Sequence, residues 1–189
     1  MNSTYMTNLI QRVIYDSESS IWSSVVTEWY IFDCQEDENH EISCICGQEN
    51  LRYLFTIKNK LNGNILFPIG SECIKKFDRG DLNDEVSVHE QLFKLLHAVE
   101  SKKFIRFNSS LFSRRLLFYL FENNAFKGSQ YNGFDSESDY RFMLNMFNKR
   151  NEPTEKQKRK INAIIISEIK PFLQKTLKTK ILSNSNERK

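Results

Sequence analysis

All four cysteines of this 189-residue chain fall within its first 73 positions, as Cys34, Cys44, Cys46 and Cys73. Three of them sit in two short phrases, CICG at 44–47 and GSEC at 70–73. Two thiols one residue apart and followed by glycine belong on a tight turn, where Gly47 can take the positive φ that lets backbone amides face sulfur. Such a turn is a metal-binding knuckle. Residues 51–57 read as a strand, 59–64 as a turn and Ile65–Ile69 as the returning strand. Ser71 then N-caps a short helix that carries Cys73 in its first turn, with Ile74 and Phe77 on its buried side. Knuckle, hairpin and helix together predict a treble-clef-like zinc finger.

A structural zinc site takes four ligands in a tetrahedron, and the fourth here has two candidates. Cys34 completes an all-cysteine set and is favoured, because thiolate sites tend to use every available cysteine. His40, in a solvated acidic stretch, is the alternative. Disulfides are disfavoured: cysteines separated by one residue bridge each other poorly, and residues 1–12 lack the charged-then-apolar order of a secretory signal. A cytoplasmic protein with one structural Zn2+ per chain is expected. Four protein ligands leave no open position, so the metal serves folding rather than chemistry.

Charge is polarised along the chain. Residues 1–49 hold one basic side chain, Arg12, against nine acidic ones, whereas residues 149–189 hold twelve basic against four acidic. Such asymmetry suits a basic face for nucleic acid, an acidic face that repels or imitates it, or two ordinary solvated faces. No apolar run approaches the roughly 20 residues of a membrane span.

The pattern 21–29 fits helix or strand, and 78–84 (DRGDLND) reads as a linker closing a zinc module of residues 1–80. Residues 81–189 then form a mainly α-helical part, giving an α+β chain. Ser87 to Glu90 is a capping-box pattern ahead of Leu92, Leu95, Leu96 and Val99. A second helix spans 111–122, a third runs from Ser136 to Arg150, and a fourth follows Thr154 with Ile161, Ile164, Ile165 and Ile169 inward. Leu117, Phe118, Phe142 and Ile165 are expected in the core. Pro171 should kink or break the last helix near Lys170. Residues 183–189 read as a polar tail.

No Gly-rich phosphate loop, GxSxG or HExxH occurs, and all four thiols are assigned to metal, so enzyme chemistry is not expected. Asp135, Glu137 and Asp139 read as a helix N-terminal cap rather than a cation site.

The phrases CICG, IKNKLNGNILFPIGSECIKKF (57–77) and LFSRRLLFYLFE (111–122) resemble a zinc-module family of phages and low-GC bacteria. Its knuckle, N-x-x-x-G turn and helix fall here on Cys44, Cys46, Gly47, Asn59, Gly63, Gly70, Cys73, Lys76 and Phe77. Members of that family often carry a further cysteine on the first hairpin strand, where this chain has Phe55, and this leaves the fourth ligand to Cys34 or His40. Size, Asn/Ile/Lys/Phe-rich composition and the zinc module also resemble zinc-containing anti-CRISPR proteins of streptococcal phages. That resemblance implies a non-enzymatic inhibitor that binds the host's type II RNA-guided DNA nuclease and blocks target-DNA binding or cleavage.

An acidic docking patch for such a basic, RNA-loaded partner is expected at Glu28, Asp33, Glu36, Asp37, Glu38 and Glu41. The competing expectation is a nucleic-acid-binding accessory protein of a phage or mobile element, with Lys75, Lys76, Arg79, Arg114, Arg115, Lys156, Lys158, Arg159 and Lys160 on phosphates.

Overall fold

The computed structural model describes residues 4–101, 105, 107–177 and 181–182. Among them the chain is α+β and divides into two compact units. One runs through Ser87 and includes Ile181–Leu182; the other begins at Val88.

In the first unit, α1 (Thr4–Tyr15) and α2 (Trp22–Glu28) precede β1 (Trp29–Asp37), β2 (Tyr53–Asn59), β3 (Ile65–Ile69) and α3 (Ser71–Lys75). The first three strands are antiparallel, and β4 (Ile181–Leu182) pairs parallel to β1, in the order β3-β2-β1-β4. The ambiguity at 21–29 resolves as both elements: the helix ends where Trp29 turns extended. Pairings Ile31 to Ile57, Ile57 to Leu66 and Phe55 to Ile69 line one face of the sheet, and all five side chains are buried. Leu9 and Val13 of α1, Val25 of α2 and Ile74 of α3 join them in the core. Trp29, fully buried, keeps its indole N–H satisfied by donating to Ser17 Oγ at 2.8 Å.

The expected linker at 78–84 is instead the start of α4 (Gly80–Glu100), one helix in which the Ser87 to Glu90 pattern caps nothing. Arg79 sets up this helix. Its Nη1 donates to the carbonyls of Val26 at 2.9 Å and Trp29 at 2.6 Å, and its guanidinium also pairs with Asp81 in the first turn. An acidic group there also favours the positive helix end. The division between units therefore falls within α4 rather than at residue 80.

In the second unit Leu92, Phe93, Leu95, Leu96 and Val99 of α4 are buried. Helix α5 (Arg114–Glu122) starts at Ser113, whose hydroxyl accepts from Leu116 N. Helix α6 (Ser136–Asn148) is capped by Asp135, which accepts from the amides of Glu137 and Ser138, as the acidic cluster predicts. Helix α7 (Glu155–Ile164) has a full capping box made by Thr154 and Gln157.

Pro171 does not break the last helix. A π-helical turn, Ile165–Ile169, carries the chain into α8 (Lys170–Leu177), and Lys170 N bonds to Ile165 O, five residues back. Widening the ladder just before a residue that lacks an N–H lets the helix continue. Phe118 also departs from expectation: it is 53% exposed, whereas Leu116, Leu117 and Leu120 are fully buried. At about 100° per residue, position 118 turns off the face shared by 116, 117 and 120. Phe142 is half-buried and Ile165 buried. The polar tail at 183–189 lies outside the described residues.

Leu117→Ala should cost about 2–5 kcal/mol in denaturant unfolding. Phe118→Ala should stay within about 0.5 kcal/mol of wild type, since its ring is largely in solvent.

Candidate metal centre

Cys44, Cys46 and Cys73 converge. Their sulfurs all lie within 4.8 Å of one another, with 3.6 Å between Cys44 and Cys73 and 3.3 Å between Cys46 and Cys73. Cys46 and Cys73 are fully buried and Cys44 is 4% exposed.

The local chain dictates this convergence. Gly47 at φ 97° closes the knuckle, with its N–H on Cys44 O and the Cys44 N–H on Gln48 O, both at 2.8 Å. Any side chain would be strained at that φ. Ile45 N donates to Pro68 O, tying the knuckle to β3. Gly70 then lets the chain pass Leu51, since a Cβ there would meet Leu51 Cδ2 at 2.9 Å. Gly70, rather than Ser71, occupies the N-cap position of α3, and its N–H points at Cys44 Sγ at 3.4 Å.

Helix α1 covers the knuckle and was not among the expected elements. Asn8 Nδ2 donates to Cys46 O at 3.0 Å, and the Tyr5 ring lies against Gly47. Its signal was in the chain all along: Met6, Leu9, Ile10, Val13 and Ile14 repeat at helical spacing.

The thiols are electrostatically unequal. A hydrogen bond from Cys73 holds Cys44 below the ordinary thiol range, helped by the amides of Cys46 and Gly70 against the opposing effect of burial. Cys73 is pushed up by that same hydrogen bond, by burial and by the charge on Cys44. One thiolate is thus already favoured in a cluster whose other sulfurs sit within reach of the same ion. Three buried soft donors, with an amide directed at one of them, suit a thiophilic metal.

Neither Cys34 nor His40 joins the three in one cluster. Cys34 is buried on β1 opposite Phe55, and its Sγ approaches Gln35 O at 3.8 Å. His40 is exposed, in a positive-φ turn at φ 57°.

Half of the expected acidic patch is internal. Glu28 is 5% exposed and accepts from the amides of Glu18 and Ser19, each at 2.9 Å, and from Asn59 Nδ2 at 2.7 Å. Asp37, 3% exposed, accepts from the amides of Asn39, Glu41 and Ile42, organising the turn between β1 and the knuckle. Glu36 is fully buried and takes a 2.8 Å hydrogen bond from Arg52 Nε. Carboxylates that satisfy orphan amides cannot also present their oxygens to a partner. Glu38 and Glu41 are exposed, and Asp33 is half-buried.

The basic candidates fall in both units. Lys75 pairs with Glu72, Lys158 with Glu155 and Glu152, and Lys160 with the buried Asp139 at 2.9 Å. Lys76 is half-buried; Arg114, Arg115, Lys156 and Arg159 are exposed, with Arg114 donating to Asn148. Compared with family models, curated proteins and solved structures, the chain matches none.

Burial alone would raise the pKa of Asp37 and of Glu28, yet the hydrogen bonds they accept outweigh it and lower both. A lowered folded value means stabilisation that is complete above the unfolded pKa, near 4, and lost as pH falls through the folded one. Asp37→Asn should therefore lower the melting temperature at pH 7, and the gap to wild type should close in melts recorded below about pH 4.

Proposed function

We propose that Cys44, Cys46 and Cys73 hold a structural zinc ion in a treble-clef-like finger, and that the chain acts as a non-enzymatic phage inhibitor of a type II RNA-guided DNA nuclease in the bacterial cytoplasm. The observation that supports it is the buried convergence of three thiols carried by the CxCG and GSxC phrases on which the sequence resemblance rests. Zinc bound there joins the knuckle, the end of β3 and α3, and its binding free energy becomes folding free energy. The chain's residues supply the thiolates and the amides facing them, and the ion supplies charge and fixed geometry. Inhibition of this kind works by occupying a surface, so contact area and complementarity set its strength.

Elemental analysis of protein purified without chelator should find one zinc per chain. Cys44→Ser, Cys46→Ser or Cys73→Ser should each abolish it and unfold the first unit, since structural zinc contributes about 10–16 kcal/mol in finger peptides. Cys34→Ala and His40→Ala should retain the metal, because neither residue reaches the cluster. Zinc-free wild-type protein with an intact fold would defeat this part of the reading.

Purified protein should also block target-DNA cleavage by the guide-loaded nuclease at near-equimolar ratio, leaving guide and DNA intact. Loss of guide at sub-stoichiometric protein would point to an enzyme.

A second reading, an accessory protein that binds nucleic acid, draws on the charge of residues 88–178, which hold 17 basic and nine acidic side chains. In that case oligonucleotide affinity should fall steeply between about 50 and 200 mM salt, without any complex with the nuclease.

A further inference from the structure

The sheet of the first unit has two unlike faces. The inner one carries Ile31, Phe55, Ile57, Leu66 and Ile69, with α2 and α3 in contact with the sheet. Strand periodicity sends the intervening residues outward, and the ladder sets Tyr30, Lys58 and Ile65 side by side across β1, β2 and β3. A bulge between Ile31 and Asp33 puts Phe32 beside this row, and Lys58 Nζ lies 5.5 Å from the centre of its ring. Phe67 follows Ile65 on the same side of β3. Phe32 is 57% exposed, Ile65 54% and Phe67 41%.

The solvated face of an antiparallel sheet is ordinarily polar, and this one is not. Single exposed apolar side chains are common, but three bulky ones on adjoining strands form a patch, which in soluble proteins marks a contact surface.

Charge selects the occupant. Residues 1–87 carry 14 acidic and seven basic side chains. Burial does not neutralise Glu28 and Asp37, because their hydrogen bonds favour the ionised form. The unit is therefore an acidic body around an aromatic-aliphatic patch. A phosphate backbone would be repelled by it, although Phe32 and Lys58 alone would suit base stacking. A second copy would bring the same excess of negative charge. A protein with an apolar contact area edged by Lys and Arg would be steered in and held.

We propose that the outer sheet face, centred on Phe32, Ile65 and Phe67, is the surface by which this chain binds a basic protein partner. This rests on the reading that the chain works by binding a protein, and it moves the contact from the acidic turn to the sheet.

The experiment has two arms. In the first, purified guide-loaded nuclease is titrated with wild-type chain, with Phe32→Ser/Phe67→Ser and with Phe118→Ser; Phe67→Ser alone is run in parallel in case the double variant loses its melting transition. In the second, the full chain carrying p-benzoylphenylalanine at position 67, or at 118 as the control, is irradiated in cells of its native host.

Binding of the nuclease that weakens tenfold or more in the sheet variants, and not in Phe118→Ser, supports the proposal. Unchanged binding by folded sheet variants overturns it while leaving the inhibitor reading intact. If the nuclease does not bind at all, the inhibitor reading falls and the cross-link decides. A cross-link from 67 and not 118 supports the face if it maps to an apolar surface flanked by Lys and Arg on one protein, whose purified form binds tenfold more weakly to Phe67→Ser. Cross-links to nucleic acid, to a second copy, or to nothing overturn it.

Discussion

The first unit depends on bringing three sulfur atoms from two separate turns to within bonding distance of one point. Cys44 and Cys46 belong to a knuckle that follows β1, and Cys73 belongs to a helix that follows β3. Between them lies the whole hairpin, so the cluster closes a long loop through a handful of atoms. Closing such a loop by chain entropy alone is unfavourable, and unscreened thiolates in an apolar interior would repel one another. A cation at the meeting point reverses the sign of that electrostatic term. The hairpin and the α1 contact at Cys46 O can then form on a fixed base.

What could be read from the amino acids was what short-range chemistry dictates. CxCG fixes its turn through Gly47, β3 is bounded by a turn and by Gly70, and Thr154 and Asp135 cap helices through their own side chains. What could not be read depended on distant partners. The stretch 78–84 looks like a linker until Arg79 is seen reaching the carbonyls of Val26 and Trp29, some 50 residues away. The carboxylates of Glu28, Glu36 and Asp37 look like surface charge because acidic residues usually are; only the tertiary fold brings amides and Arg52 to them. Cys34 looked like a ligand by composition, and its strand register opposite Phe55 sets it apart from the other three.

These internal carboxylates change how the polarised charge should be understood. They act at short range as acceptors that organise turns, and at long range as part of a negative field around an apolar sheet face. Both roles come from the same ionised groups, so neutralising one to probe recognition also removes a structural hydrogen bond. The exposed pair, Glu38 and Glu41, is cleaner ground for separating the two effects.

The π-helical turn at Ile165–Ile169 has a consequence for how this segment tolerates length changes. A π-turn holds one residue more than the α-helical path it replaces. Deleting one residue there would restore a regular ladder, yet it would also rotate everything beyond it by about 100° around the axis. Leu173 and Leu177, both buried, would swing away from the core and exposed positions such as Lys175 would swing toward it. The extra residue thus works as a phase adjuster, keeping the isoleucine stripe before Pro171 and the leucines after it on one continuous face.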